Sequence, residues 1–346
     1  MSIVSCKPTI TRKELEGVLD CLINEDLLTG TTVKLFEGQA SRHTGIKYAL
    51  AVNSLTAAYH LAFKALEIAP GDEIIIPSYF DIAPLSAADL IGATPVLVDI
   101  EQGALAPSTS QIKEKITEKT KAIVFGHTFG FLTPLEELAE LGVPIVEDIS
   151  HAIGGTLEND APVGGGGAIA VASFAASMVI TTGNGGMALT RNSRLYARMK
   201  ELRGNGGGEH LHFDYCMTDF QGAMGISQLA RLEGFIYRRR EIARSYYDAL
   251  KLTPHKAPYH YSEQFVYQSF PIIFDAPADK VEKYWKKNSI EVFHPVETPL
   301  HRYLGAAGHD YPHSDRASRK VYGLPIFPTL TRREIDKITT LLARFI

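Results

Sequence analysis

The chain has 346 residues, 45% of them hydrophobic and 21% charged, with a net charge of -4. That length allows about two domains with substantial cores, and the slight acidity gives no reason to expect a nucleic-acid partner. Cys6, Cys21 and Cys216 are few and odd in number, which argues for a reducing compartment. No basic segment followed by an apolar core opens the chain, and no apolar run reaches about 18 residues, so a cytoplasmic protein without a membrane partner is expected.

From about Tyr48 to Thr190, short β-branched runs alternate with stretches of helical period. The candidate strands are Tyr48–Asn53, Glu73–Pro77, Thr94–Val98, Ala122–Phe125, Pro144–Glu147, Ala168–Phe174 and Met187–Thr190. Ile74-Ile75-Ile76, Val96-Leu97-Val98 and Ile123-Val124-Phe125 are continuous apolar runs, as expected of parallel strands buried on both faces. Between them, Ala57, Ala58, Leu61, Ala62, Ala65 and Leu66 form a helical stripe after Ser54. Leu135 to Leu141 forms another, with Thr133-Pro134 as its cap and first turn. This pattern predicts a doubly wound α/β domain.

Beyond Thr190, Leu195–Leu202 and Met217–Leu250 read as helices, the second bending at Gly234. Arg238-Arg239-Arg240 within it reads as a solvated face. From about Pro254 the chain is richer in His, Pro and Tyr and predicts a smaller α+β domain. Its strands are expected at Gln268–Phe274 and Ile290–Phe293, and its last helix at Arg332–Phe345, capped by Thr331. Residues 1–235 and 236–346 are the two expected domains.

Ligands of open parallel sheets bind beyond the carboxyl ends of the strands. The candidate site residues are therefore Asn53 to Thr56, Ser78 to Asp81, Gly126 to Thr128, Asp148 to His151, and Ser173 to Ser177. Asn53-Ser54-Leu55-Thr56 opens a helix and is either an anion site or a plain N-cap. The acid pair Glu147-Asp148 either caps the next helix or faces the crevice, and His151 is three residues on. His210, His212 and Asp214 have no further ligands at metal spacing, so no metal is expected. His309 and His313 read as loop surface, and Gly164–Gly167 as a turn before a strand.

Taken together, these segments resemble the DegT/StrS family of nucleotide-sugar aminotransferases. The resemblance is carried by Leu27-Leu28-Thr29-Gly30, Pro70-Gly71-Asp72-Glu73, Gly92-Ala93-Thr94-Pro95-Val96, Glu147-Asp148, His151, Ser173-Phe174 and Thr181-Thr182-Gly183. Further matches are Met217-Thr218-Asp219-Phe220-Gln221, Leu324-Pro325 and Pro328. It implies the aspartate-aminotransferase fold: a doubly wound, mostly parallel seven-stranded sheet with a smaller C-terminal α+β domain. It also implies a dimer whose active site lies between subunits, and pyridoxal phosphate (PLP) as cofactor.

The departures from this resemblance fall on the cofactor. No lysine occurs between Lys121 and Lys200, and the family's imine-forming lysine corresponds to Met178. A thioether can neither form an imine nor act as a base, whereas the histidine that replaces this lysine in related sugar dehydratases can. The Ser-Gly-Thr phosphate turn corresponds to Ser54-Leu55-Thr56, with a side chain where glycine admits the phosphate. The stacking aromatic corresponds to Asp81. An asparagine that reaches the phosphate from the partner subunit corresponds to Asp214, whose carboxylate would repel it, and an arginine corresponds to Cys216. Asp148, the partner of the pyridinium nitrogen, and His151, near the ring hydroxyl, are kept. So are the hydroxyls of Thr56 and Ser173.

These departures imply a sugar-aminotransferase-like protein of surface-polysaccharide biosynthesis that has lost PLP–lysine catalysis. It would bind a nucleotide sugar or serve as a partner subunit, as a homodimer or in a heterodimer with an active paralogue. No cofactor is expected, with PLP or PMP (pyridoxamine phosphate) bound only if the altered site still holds it. The alternative is a lysine-independent enzyme on keto-sugar nucleotides that uses Asp81, Asp148, His151 and Asp214 as acid/base groups. An ordinary PLP aminotransferase is a third reading, which Met178 opposes.

Overall fold

The computed structural model describes residues 2–24, 27–157, 160–204 and 212–345. Helices α1 (Arg12–Ile23) and α2 (Thr31–Thr44) precede β1 (Tyr48–Val52), α3 (Leu55–Ala65), β2 (Glu73–Pro77), α4 (Ala83–Leu90) and β3 (Thr94–Val98). Then come α5 (Thr109–Lys113), β4 (Thr120–Gly126), α6 (Glu136–Ala139), β5 (Ile145–Asp148), β6 (Ile169–Ser173) and β7 (Gly186–Thr190). The remainder comprises α7 (Ser193–Arg203), α8 (Asp219–Leu229), α9 (Leu232–Leu250), β8 (Phe270–Ile273), α10 (Ala278–Lys287), α11 (Leu300–Tyr303), α12 (Pro312–Lys320), β9 (Val321–Leu324) and α13 (Arg332–Arg344).

Strands β1 to β7 form one seven-stranded sheet in the order β1-β7-β6-β5-β4-β2-β3. The pairs among β2 to β6 are parallel, and only β7 runs against its neighbours β1 and β6. β5, β6 and β7 are buried at every position, because helices cover both faces. One face packs on α3 and α4 through Leu61, Ala62, Phe63, Ile74, Ile76, Val124 and Val171. The other packs on α2, α8 and α9 through Phe36, Ala172, Phe174, Met187, Leu229 and Leu232. A separate antiparallel pair, β8–β9, shares an aromatic core with α9, α10 and α13, centred on Tyr246, Phe270, Phe274 and Trp285.

The seven strands of the large sheet lie where the apolar runs predict them. The later elements depart more. Met217–Leu250 is two helices broken at Ala230–Arg231, and Gly234 sits inside α9. Ile290–Phe293 is no strand. It makes only isolated bridges, Ile3 with Ile290 and Phe293 with Gly323, and the partner that β8 pairs with is β9. Leu135, not Thr133, precedes the short α6. The cap Thr331 holds, completing a capping box with Glu334.

Arg238-Arg239-Arg240 is not the solvated face that its charge suggests. Arg239 is only 2% exposed, and its guanidinium donates to the carbonyls of Tyr267, Gln268 and Ile326. Arg240 donates to those of Gln264 and Phe265. Arg239 does this through Nη1 and Arg240 through Nε and Nη2, both on irregular backbone that no sheet satisfies.

Candidate functional site

The carboxyl ends of β2, β4, β5 and β6, the start of α3 and the chain around Phe293–Thr298 enclose a cleft of about 740 Å³. Ser54, Leu55, Thr56, Asp81, Asp148, His151, Ser173 and Met178 all line it. Positions from four separate stretches of the chain thus converge as the strand-end rule predicts. Asp214 and Cys216 do not line the cleft. The Asp214 carbonyl accepts from Asn53 Nδ2 at 3.1 Å, and the Cys216 thiol lies 2.8 Å from the Gly204 carbonyl. Of the three residues weighed as metal ligands, His210 lies outside the described residues, and His212 and Asp214 are exposed.

Asp148, at the end of β5, is the most tightly held of the group. Its Oδ1 accepts from Ser150 N at 2.8 Å, and its Oδ2 accepts from Tyr59 Oη at 2.7 Å. Burial pushes its pKa up against the opposing donors from Ser150 and Tyr59. The neighbouring acid Glu147 faces the other way. Its carboxylate accepts from His127 Nε2 at 3.0 Å and from the amides of Gly164, Gly166 and Gly167 at 2.6, 2.9 and 2.9 Å. Burial pushes Glu147 up, but these donors outweigh it and hold its pKa below the usual carboxylate range. The four-glycine turn is therefore an anion cradle for the protein's own carboxylate. Strand alternation separates the two acids: Glu147 is structural and Asp148 faces the cleft.

His151 stacks on Phe129 at a centroid distance of 5.8 Å, and its Nδ1 accepts from Phe129 N at 3.0 Å. An Nδ1 that accepts carries no proton, so the ring is neutral with its hydrogen on Nε2. Burial lowers its pKa to about 4, against the pull of Asp81. Asp81 turns its Oδ1 to Ala83 N at 2.7 Å and is open to the cleft. Protein on its other sides still pushes its pKa up; the amide of Ala83 opposes this and the charge of Asp148 adds to it. Phe80, one residue back, is buried against Gly126, where any side chain would run into its ring. The aromatic thus packs inward and the carboxylate faces the ligand space.

Ser54 caps α3 by accepting from Ala57 N at 3.1 Å, and Leu55 projects at the first helical position. The plain N-cap is present, and beside it stand the remaining N–H groups of the first turn. Ser173 Oγ accepts from Ala175 N at 3.3 Å, while Ser173 N donates to Ser150 Oγ at 2.9 Å. Met178 is half-buried on the cleft wall, with its backbone N–H on the Ala175 carbonyl at 3.1 Å.

Sequence reasoning missed Tyr59, Gln268, Ser269 and the cleft wall from Phe293 to Thr298. Tyr59 carried a faint signal, being the one phenol in an alanine- and leucine-rich helix. The others come from distant loops with no local signature.

PLP held through an imine does not fit these residues. Met178 supplies no amine, and among the described residues neither lysine nor arginine lines the cleft. A phosphate at the start of α3 would meet the Leu55 side chain, backbone amides and the hydroxyls of Ser54 and Thr56, with no lysine or arginine among the described lining and the Asp81 carboxylate in the same cavity.

The model of the DegT/DnrJ/EryC1/StrS aminotransferase family matches residues 8–343. GDP-perosamine synthase from Escherichia coli O157:H7 is 31% identical over 350 residues, which cover 95% of this chain and 94% of that protein. The putative sugar aminotransferase Spr1654 from Streptococcus pneumoniae, in its PLP form, superposes with a TM-score of 0.92 at 25% identity, covering 100% of both chains. DesV from S. venezuelae superposes with a TM-score of 0.90 at 26% identity, covering 96% of this chain and 93% of DesV. No helix among the described residues is long and apolar enough to cross a membrane.

Proposed function

This chain belongs to the DegT/DnrJ/EryC1/StrS aminotransferase family, and we propose that it is a member without transaminase chemistry of its own, one that binds a sugar ligand or nucleotide sugar. The observation that carries this reading is Met178 on the wall of a cleft whose described lining has no lysine or arginine. An imine needs an amine and a phosphate dianion favours fixed positive charge; this lining supplies neither. The hydroxyls of Thr56 and Ser173 and the polar loops at the strand ends remain suited to a sugar.

The reading includes a second subunit, either another copy or an active paralogue. It is supported by Leu15, Leu19, Leu22 and Ile23, which form an exposed stripe on α1 at spacings of a helical face. A covering subunit would remove that apolar surface from water.

Titration of the purified protein with PLP, followed by visible absorbance and by amino transfer from glutamate to a keto-sugar nucleotide, tests the proposal. The expected result is no bound-imine band and no transfer. A stoichiometric band with micromolar affinity would sink it.

A lysine-independent enzyme is favoured by a different observation. Asp148 and Asp81 have raised pKa values beside the free Nε2–H of a neutral His151. Such groups could move a proton on a keto sugar without PLP. Solvent deuterium exchange into a keto-sugar nucleotide, lost in Asp148→Asn and His151→Ala, would support it. Unchanged exchange in both variants would reject it.

A further inference from the structure

The charges of this cleft are one-sided. Asp81, Asp148 and Glu297 line it, and no lysine or arginine among the described residues does. His127 and His151 do not balance them. His127 Nε2 donates to Glu147 while its Nδ1 accepts from Thr133 N at 3.2 Å, and His151 is held neutral by the amide of Phe129. A cleft lined by carboxylates with low-dielectric walls concentrates cations and repels anions.

Acidity alone would not define a ligand. A second feature does. Ser269 is only 3% exposed, lines the same cleft, and its Oγ has no hydrogen-bond partner. A buried hydroxyl left without a partner is destabilising unless a ligand supplies one. Around the cavity stand further neutral hydrogen-bonding groups: the hydroxyls of Ser54, Thr56, Thr128 and Ser173, and the carboxamide of Gln268. Hydroxyls and an amide beside the rings of Phe129, Phe293 and Tyr303 suit a polyhydroxylated ligand, whose oxygens the polar groups can bond while the rings cover its apolar face.

We propose that the cleft selects an amino sugar, with the Asp81 carboxylate as counter-charge to the ligand's primary ammonium and the Ser269 hydroxyl bonded to one of its oxygens. This rests on the sugar-binding reading above and adds to it the charge of the ligand. Asp81 is both fixed and accessible, as such an anchor must be. Ala83 N holds its Oδ1 at 2.7 Å, and the residue is open to the cleft. Asp148 is not the anchor, because both of its oxygens already accept from the protein. Met178 then stands in a coherent setting. A protein ammonium at that wall would compete with the ligand's own, and a thioether does not.

The test uses the full-length protein and methyl glucopyranoside together with its 2-amino, 3-amino and 4-amino derivatives, each also as the uncharged N-acetyl form. Binding is measured by calorimetry or ligand-observed NMR. At least one amine should bind roughly ten- to hundred-fold tighter than both the parent and its N-acetyl form, the scale of a hydrogen bond to a charged group. Asp81→Asn keeps the acceptor for Ala83 N and should bring the affinity of the amine down to that of the parent and the N-acetyl form measured on the same variant. Ser269→Ala should weaken amine and parent alike. Equal binding of amine and parent, or a preference that survives in Asp81→Asn, would overturn the ammonium inference and leave the sugar cleft standing. Failure of every glycoside to bind would overturn the amino-sugar inference and confine the sugar-binding reading to nucleotide-linked sugars.

Discussion

Tyr59 Oη lies 2.7 Å from Asp148 Oδ2 and ties the first turns of α3 to the carboxyl end of β5. Both side chains are buried, so the hydrogen bond fixes the carboxylate where two elements meet at the floor of the cleft. It also makes Asp148 dependent on a residue 89 positions away.

Tyr59→Phe should therefore act through Asp148. Where Asp148 is ionised, losing one donor to a buried carboxylate should cost about 2 kcal/mol in denaturant unfolding. Burial raises the Asp148 pKa above its unfolded value. A carboxyl with a raised folded pKa contributes stability that is fully present below the unfolded value and is lost as pH rises through the folded one. Tyr59→Phe should push the folded value higher and steepen that loss. Asp148→Asn should remove the pH dependence that Asp148 contributes. Unfolding curves measured from about pH 4 to about pH 8, spanning the carboxylate range and above, would check both signs.

Glu147 has the opposite sign. Its pKa is held down by His127 and the glycine amides against burial, so its stabilisation is present above the unfolded value and lost as pH falls through the folded one. Glu147→Gln replaces a carboxylate with a carboxamide whose NH₂ faces amide donors. A loss of about 3 kcal/mol at neutral pH is expected, shrinking on acidification. A variant as stable as the parent at neutral pH would contradict the cradle.

Met178→Lys should not restore transamination. The new amine would still share the cleft with Leu55 at the start of α3, with Asp81, and with a described lining that has no lysine or arginine for the phosphate. Visible absorbance after PLP addition and single-turnover amino transfer would decide. An active variant would show that Met178 alone silences the site.

The α1 stripe gives a test of assembly. Leu19 is 54% exposed and Leu15 is 63% exposed, one turn apart. If a second subunit covers them, Leu15→Lys with Leu19→Lys should shift the protein to a monomer in light scattering, with a folded circular dichroism spectrum. In a chain that is monomeric from the outset, the same changes should leave the mass unchanged and raise solubility.

The amino-acid sequence by itself determined the large sheet and the location of its site. Runs such as Ile74-Ile75-Ile76 suit a strand buried on both faces, and the polar residues after each run must emerge at its carboxyl end. The identity of Met178 and Leu55 is likewise chemistry that any fold would inherit. Tertiary structure decided the rest, because it depends on pairs that are far apart in the chain. Periodicity could not show that Glu147 would turn to Gly164–Gly167 while Asp148 turned to Tyr59. Nor could it show that Arg239 would be buried on three carbonyls. The β8–β9 pairing escaped it too, since each of those strands has only 4 residues and its register is set by a distant partner. The neutrality of His151 and the unpaired hydroxyl of Ser269 come from contacts across the fold, and they set the character of the cleft that the strand ends only located.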